Sequence, residues 1–333
     1  MRLLFEPLPV YFMHVPKTGG VALGQWLRCA YGRGYFDLDL PQITKLTGRD
    51  IRGFNCYHAW HHSRSLFEWL GRPNLAVITM LRDPIERVAS AFHFRQRNLV
   101  EHPEEYKGAY RTTMKRLPKQ SLQESLEDGL ITPKLSNTQV RLLGLRNDYG
   151  AFFSALHHNP RAEMLLRPYG VPLLVDPDNL PLLYVNAQAW LDEMAVVGLT
   201  ERYTESLQMM ADLLGIPAPA DLPLVNANPQ RRSPSMRYRD SLPPDVVKQL
   251  EELNSFDLEL YTHAAELFEQ QWARYQAHPR RTYSIAPRLR IPLRRVESGL
   301  KSWLRRTSPA SMQRLRELRA KLRRRRTRNG GQG

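Results

Sequence analysis

The sequence is poor in cysteine and has no long apolar segment. Of its 333 residues only Cys29 and Cys56 are cysteines, and they stand in unrelated contexts. They form neither a disulfide framework nor a Cys-x-x-Cys motif, so we expect a reducing compartment or indifference to redox state. No run of about 18 uncharged apolar residues predicts a transmembrane helix. The first ten residues carry Glu6 and two prolines without a small-residue cleavage site, so we expect no signal peptide.

Most of the chain also lacks an excess of charge of either sign. The net charge is +15, but residues 279–328 alone hold 18 Lys and Arg against two acids, a net of +16. The remainder is therefore close to neutral, at −1. A neutral body does not support nucleic-acid binding through bulk charge, and we expect no specific nucleic-acid partner.

The segment at residues 10–28, VYFMHVPKTGGVALGQWLR, predicts a strand, a glycine-containing loop and a helix. Such a loop directs backbone N–H groups at an anion and places the anion at the positive end of the helix dipole. Lys17 adds a charge, and the glycines at 19 and 20 allow close backbone approach. The loop is not a Walker A motif because its lysine precedes the glycines. It predicts a phosphate or sulfate cradle, with an ordinary turn bearing an exposed lysine as the alternative.

Two further strand-and-helix units follow. The apolar run at 75–81 is typical of a central parallel strand, and Asp83 and Pro84 then predict the cap and first residue of a helix. Residues 195–215 predict a third unit, with Thr200 as the helix cap and a glycine at its end. Further helices are predicted at 121–130, 134–145 and, as one segment, 244–275.

Alternating strands and helices predict an α/β fold with a parallel sheet covered on both faces. Ligands bind such sheets at the carboxyl ends of the strands. Lys17 and Arg82 both follow predicted strands, so we expect them at the same edge of the sheet. Their coincidence favours an anion site more than the loop alone does.

Two segments together resemble the two nucleotide motifs of sulfotransferases that use 3′-phosphoadenosine 5′-phosphosulfate (PAPS): HVPKTGG and LRDPIERVASAF. The similarity is closest to the carbohydrate O-sulfotransferases of the heparan/chondroitin type and their bacterial relatives. Segments at 137–144, GLTERYTESL and NSFDLELYTHA are also similar, and the resemblance spans about residues 10–270. It implies a P-loop-like three-layer fold, with a sulfotransferase domain at 1–275 and a basic tail at 276–333.

The resemblance implies roles for particular residues. Arg82 would bind the 3′-phosphate in a bidentate contact, Ser90 would add a hydroxyl, and Lys17 would stabilise the leaving oxygen. The alternatives are an ion pair of Arg82 with Asp83 or Glu86, and a plain surface position for Ser90. The 5′-phosphosulfate would be held by the first motif, namely Pro16, Lys17, Thr18, Gly19, Gly20 and Val21.

The acceptor hydroxyl requires a general base, and the resemblance implies a histidine. The segment Tyr57-His58-Ala59-Trp60 stands where the family has this histidine. We therefore expect His58 to be the base, with His61 as the second candidate. Clustered histidines also suggest zinc, but no cysteine or carboxylate ligand adjoins them and we expect no metal. Gln139 and Arg141 match a segment near acceptor and nucleotide; a helix surface position and an intrahelical ion pair are equally open for them.

The tail at 276–333 lies outside the resemblance. Two apolar stripes at helical spacing stand among dense bases: Val296, Leu300, Trp303 and Leu304, then Met312, Leu315, Leu318 and Leu322. Such a pattern is typical of an interfacial amphipathic helix, so we expect docking on an anionic inner membrane surface. A solvated tail that binds acidic polymers weakly is the alternative. The expected location is cytoplasmic and peripheral to that membrane.

The sequence thus predicts a PAPS-dependent O-sulfotransferase that acts on a hydroxyl of a carbohydrate, glycolipid or other membrane-borne acceptor. The transfer would be in line, with a histidine base. The first motif has Val21-Ala22 where the family usually has Thr or Ser. This departure and the shifted histidines favour the alternative, a non-catalytic nucleotide-binding member that acts as a membrane-associated adaptor. A P-loop kinase is disfavoured by the absent Walker A motif.

Overall fold

A computed structural model describes residues 7–38, 51–60, 64–102, 116–129, 135–158, 173–219 and 237–277. These ranges contain five strands: β1 Val10–His14, β2 Tyr35–Leu38, β3 Cys56–Trp60, β4 Ala76–Leu81 and β5 Val196–Leu199. They form one all-parallel sheet in the order β2-β3-β1-β4-β5. The predicted α/β class with a central parallel sheet is confirmed. The predicted boundary between 275 and 276 stays a prediction, because residues 278–333 lie outside the described part.

Ten α-helices stand in the described ranges: α1 Gly20–Tyr31, α2 Arg64–Leu70, α3 Pro84–Glu101, α4 Leu122–Glu127, α5 Thr138–Gly144, α6 Tyr149–His158, α7 Leu180–Leu191, α8 Tyr203–Leu214, α9 Pro244–Leu253 and α10 Ser255–Ala277. Within those ranges, each helix is too short or too polar to traverse a lipid bilayer.

The central strands are buried on both faces, which is why their sequences are continuous apolar runs. Every residue of β1 and of β4 is buried. On one face Tyr11 contacts Phe67 of α2 and Trp190 of α7. On the other face Phe12 stacks on His58 of β3, beneath α1. The sheet therefore has helices on both sides, and its carboxyl-terminal edge is the place where the loops converge.

The turn after β4 forms as predicted. The Asp83 carboxylate accepts hydrogen bonds from the backbone N–H groups of Ile85 at 3.0 Å and Glu86 at 3.1 Å. Pro84 occupies the first position of α3, where its missing N–H costs no hydrogen bond. This cap fixes where α3 begins and leaves Arg82 in the short link between strand and helix.

Several sequence predictions are corrected by the structure. Strands β2 and β3 were missed, because short segments in a glycine-rich stretch give little periodicity. Thr200 does not cap α8: a 3-10 turn, Thr200–Arg202, intervenes and the helix begins at Tyr203. The single helix predicted over 244–275 is two, α9 and α10, which break at Asn254.

The amino-terminal ends of α5 and α10 are tied together. Buried Asp257 of α10 accepts from the backbone N–H groups of Gln139 at 3.1 Å and Val140 at 2.8 Å. In return the Asn137 side-chain carbonyl accepts from the Asp257 N–H at 3.0 Å. Burial raises the pKa of Asp257, although Arg87 and these N–H groups oppose the rise. The exchange satisfies orphan donors of both helices and fixes α5 against the link that carries Arg82.

Candidate active site

The loop between β1 and α1 is a tight anion-binding turn. Its one buried polar side chain, Thr18, donates its hydroxyl to the Val15 carbonyl at 2.7 Å. Lys17 and Gly19 both have positive φ, at 73° and 81°. Positive φ is costly for a lysine, and such a conformation persists only where surrounding contacts enforce it. Successive residues in this arrangement turn their N–H groups towards one side, which makes a concavity for an anion.

Three successive carbonyls of the loop are held by donors from other elements. The Lys17 carbonyl accepts from Arg82 Nη1 at 3.3 Å. The Thr18 carbonyl accepts from the Thr200 hydroxyl at 2.9 Å, and the Gly19 carbonyl from the Tyr203 hydroxyl at 2.9 Å. In a trans peptide the N–H points away from the C=O, so the N–H groups of these three peptides point away from the donors that hold the carbonyls. The links after β4 and β5 therefore shape the loop for a negative charge.

The Lys17 side chain lies over α3, with its Nζ 3.8 Å from the centre of the Phe94 ring. Burial and, to a lesser extent, the charges of Arg97 and Arg82 lower the pKa of Lys17 to about 8. Ser90, Phe94 and Arg97 follow one another at helical spacing, so α3 presents them on one face. This face and the loop bring three positive charges together, which an anionic ligand would stabilise.

Arg82 is 9% exposed and already well bonded. Its Nη2 lies 3.4 Å from Glu86, so the ion pair weighed as an alternative is present. Its Nε has no hydrogen-bond partner in the described part of the chain. A buried guanidinium with an unused donor beside a cationic loop fits an incoming anion, because the desolvated N–H costs free energy until it is bonded. Ser90, two turns along α3, is partly exposed.

The Gln139 side chain holds the backbone of Arg82 in place. Its side-chain amide accepts from the Arg82 N–H at 3.1 Å and donates to the Arg82 carbonyl at 2.9 Å. Gln139 is fully buried, so the alternative of a helix surface position is wrong; its contacts are those of a residue that positions Arg82, and binding of the acceptor stays a prediction. Arg141 donates to the carbonyls of Ser136 and Pro177. It also forms an ion pair at 3.6 Å with Asp178, in the loop that contains Pro177. These bonds fasten α5 to that loop.

His58 lies in the centre of a buried hydrogen-bonded row. Its Nδ1 is 3.0 Å from Asp37 Oδ1 and 2.6 Å from the Tyr35 hydroxyl. Its Nε2 is 2.9 Å from Nδ1 of His14, the last residue of β1. Both imidazoles are 2% exposed. The reserve candidate, His61, lies outside the described residues.

Two glycines of α1 make room for the two imidazoles. A Cβ at Gly20 would lie under 3.0 Å from the His14 ring, and a Cβ at Gly24 would meet the His58 ring equally closely. The two glycines are one helical turn apart, and the two rings that they face are neighbours on adjacent strands. The spacing Gly20-x-x-x-Gly24 therefore leaves space for both imidazoles, a role separate from the shaping of the anion-binding loop.

The electrostatics of the row are set by Asp37. Burial opposes its charge, but hydrogen bonds from His58, Tyr35 and Trp60 outweigh burial and lower the pKa of Asp37 to about 2. Arg28 of α1 forms an ion pair with the same carboxylate. Burial lowers the pKa of His58, while Asp37 partly offsets that effect. At neutral pH the row therefore consists of a carboxylate and a neutral imidazole, which is the state that a base requires.

The structure brings Lys17, Arg82 and the Ser90 face of α3 together at the carboxyl ends of β1 and β4. His58 stands one strand away, and its Nε2 contacts His14 at the end of β1. Sequence reasoning missed a group of supporting residues: His14, Tyr35, Asp37, Thr200 and Tyr203. The glycine spacing in α1 was a usable signal for the histidine pair; the others come from distant segments. In the described ranges there is no cluster of three His, Cys, Asp or Glu side chains suited to a metal ion.

Comparisons with known proteins agree with this geometry. A family model described as the sulfotransferase family matches residues 5–264. The chain is 25% identical over 338 aligned residues to heparan-sulfate 6-O-sulfotransferase 2 of Danio rerio, an alignment that covers 89% of this chain and 65% of that protein. It is 24% identical over 290 residues to heparan-sulfate 6-O-sulfotransferase 3-B of the same organism, with 79% and 64% covered. The chain thus spans slightly less than two thirds of the length of these relatives.

Proposed function

This chain belongs to the sulfotransferase family, and from that premise we propose that it transfers the sulfuryl group of PAPS to a hydroxyl of a carbohydrate. The observation that carries the proposal is the loop at 15–19, whose three held carbonyls and whose Lys17, beside the charges of Arg82 and Arg97, fit a phosphosulfate. The names of the relatives, which are heparan-sulfate sulfotransferases, support a glycan acceptor. In the reaction the hydroxyl oxygen bonds to sulfur as the bond from sulfur to the bridging phosphate oxygen breaks.

In this proposal the loop holds the 5′ end of the nucleotide and the start of α3 holds its 3′ end. The N–H groups of residues 18–21 bind the 5′-phosphate, and they do so without the hydroxyls that Val21 and Ala22 lack. Arg82 binds the 3′-phosphate with support from Ser90. The unused Nε of buried Arg82 supports this assignment.

Lys17 stabilises the negative charge that develops on the bridging oxygen as the sulfuryl group leaves. Its Nζ lies on Phe94 within a desolvated site, where a charge acts more strongly than in water. Its lowered pKa, about 8, still leaves most of the side chain protonated at pH 7. His58 takes part as the general base, in its neutral form and oriented by Asp37.

A nucleotide binding assay tests the assignment of the two ends. The wild-type chain is expected to bind 3′-phosphoadenosine 5′-phosphate more tightly than adenosine 5′-phosphate by about 10–100-fold, since hydrogen bonds to charged groups contribute about 1.5–3 kcal/mol. Arg82→Ala removes most of that preference, whereas the control Arg33→Ala, at an exposed turn, keeps it. Equal binding of the two nucleotides by the wild-type chain contradicts the proposal.

We extend the proposal to the basic tail, which would hold the enzyme on an anionic inner membrane and so favour a membrane-borne glycan. Support comes from its net charge of +16 over residues 279–328 and from its two apolar stripes. Full-length chain should sediment with vesicles containing phosphatidylserine and less so with neutral ones. Replacing Arg323, Arg324, Arg325 and Arg326 by Gln should weaken sedimentation; unchanged binding would reject the tail as the anchor.

A further inference from the structure

Both ring nitrogens of His58 are engaged in the structure, and the partners fix its tautomer. The Tyr35 hydroxyl, 2.6 Å from His58 Nδ1, donates its one proton to Asp37 Oδ1 at 2.8 Å, so it can only accept from that nitrogen. Ionised Asp37 can likewise only accept hydrogen bonds, so His58 Nδ1, 3.0 Å away, carries the proton. Neutral His58 then has its lone pair at Nε2, and that atom accepts from His14 Nδ1–H across 2.9 Å. In neutral His14 the remaining lone pair is consequently at Nε2. The row therefore has a direction, from Asp37 through His58 to His14.

We propose that the general base of the transfer is the hydrogen-bonded pair of His14 and His58, with His14 Nε2 as the atom that takes the acceptor proton. As the acceptor oxygen bonds to sulfur, its proton passes to His14 Nε2. The proton on His14 Nδ1 moves to His58 Nε2, and the positive charge comes to lie beside Asp37. The electron pair of the broken sulfur–oxygen bond stays on the phosphate of the nucleotide. This inference rests on the proposed function.

The position of each ring supports this order. The Cδ2–Nε2 edge of His14 packs on Gly20, the first residue of α1, so it borders the loop that would hold the donor. The His58 ring packs one turn further along the helix, on Gly24. A proton from an acceptor beside the loop therefore meets His14 first. Trp60, whose ring centre lies 4.2 Å from that of His14 and 4.5 Å from that of His58, covers the pair.

Charge explains why two imidazoles are used. The charges of Lys17, Arg82 and Arg97 already oppose one another at the loop edge, and like charges nearby disfavour a further positive charge on His14. Transfer of the proton to His58 moves the charge away from them and next to the Asp37 carboxylate, where the energy is lower. The other charged or titratable groups around the pair are Arg28 of α1, which opposes a charged His58, and Tyr35 and Cys56, which burial keeps neutral.

His14→Asn is the informative variant because its side-chain amide can still donate to His58 Nε2 but cannot take a proton. We expect kcat/KM to fall about 10²–10⁴-fold, the usual contribution of a general base. His14→Asn with His58→Asn should be no slower than the slower single variant, since members of one relay do not act additively. His102→Asn, an exposed position, controls for loss of a histidine. A rate for His14→Asn within threefold of wild type, with an unchanged acid limb of the pH profile, overturns the relay.

Imidazole ¹⁵N NMR of the full-length chain tests the pair without an activity. We expect a proton on Nδ1 and none on Nε2 in both rings at neutral pH, two coupled titration steps, and a shift of both steps to lower pH in Asp37→Asn. A proton on His58 Nε2 overturns the assignment. If the wild-type chain transfers no sulfuryl group, the proposed function fails and the relay with it. If the wild-type chain is active and His14→Asn is equally active, only the relay fails.

Discussion

Gly24 offers a test of whether α1 is shaped around the histidine row. An alanine in the middle of a helix normally stabilises a protein by about 1 kcal/mol relative to glycine. At Gly24, however, the new Cβ would lie 2.7 Å from His58 Nδ1, and ordinary van der Waals contact begins at 3.4 Å. The ring would have to move by roughly 1 Å, away from an Asp37 oxygen that is now 3.0 Å away.

The strain and the lost hydrogen bond in Gly24→Ala together outweigh the gain in helix stability. Overpacking a buried site costs about 1–3 kcal/mol, and a lost hydrogen bond to a charged partner costs a further 1.5–3 kcal/mol or so. After subtraction of the helix gain, Gly24→Ala should lower the free energy of unfolding by about 2–5 kcal/mol. The His58 titration should also change, because its distance to Asp37 changes.

Urea unfolding followed by circular dichroism measures the first effect and imidazole NMR the second. Gly34→Ala serves as the control, because its Cβ would meet its nearest neighbour at an ordinary 3.6 Å. We expect the control to be within about 1 kcal/mol of wild type. If Gly24→Ala is instead more stable than wild type and leaves His58 unchanged, the reasoning about the row is refuted.

Three more predictions concern the loop and the row. Tyr203→Phe should weaken binding of 3′-phosphoadenosine 5′-phosphate by about 5–10-fold in calorimetry, since it loses one carbonyl bond of the loop; unchanged affinity would contradict its role. The kcat/KM profile should fall above about pH 8 as Lys17 loses its proton, and Arg97→Gln should move that limb to higher pH while Arg33→Gln leaves it in place. Asp37→Asn should destabilise the fold by about 2 kcal/mol at pH 7. Because its pKa is lowered from 3.8 to about 2, the difference should shrink as pH falls through that window; a constant difference would contradict the assignment.

The parts of the fold that sequence predicted well are those set by local chemistry. Asp83 and Pro84 fix the start of α3 through their own hydrogen bonds and ring geometry, so their pattern is readable without the tertiary structure. The alternation of apolar runs with helices likewise predicted the parallel sheet. Thr200 shows the limit: its hydroxyl was expected to cap its own helix, but the Thr18 and Leu81 carbonyls bind it instead.

The supporting residues of the site could not be predicted because they come from distant segments. Tyr203 is 184 residues from the Gly19 carbonyl that it holds, and Thr200 is 182 residues from the Thr18 carbonyl. No local periodicity records such contacts. Sequence could not reveal that both ends of the Gln139 amide are bonded to Arg82, and the contact of Gln139 with the acceptor stays a prediction.

Transfer of a radiolabelled sulfuryl group from PAPS to a panel of glycans tests the central claim most directly. Wild-type chain and Lys248→Ala, a variant at an exposed position of α9, should both label at least one glycan. Lys17→Ala should lose the transfer by at least about 10²-fold, because it lacks the charge that stabilises the leaving oxygen. A near-normal rate in Lys17→Ala, or no labelled product from wild-type chain that binds 3′-phosphoadenosine 5′-phosphate, would contradict the account.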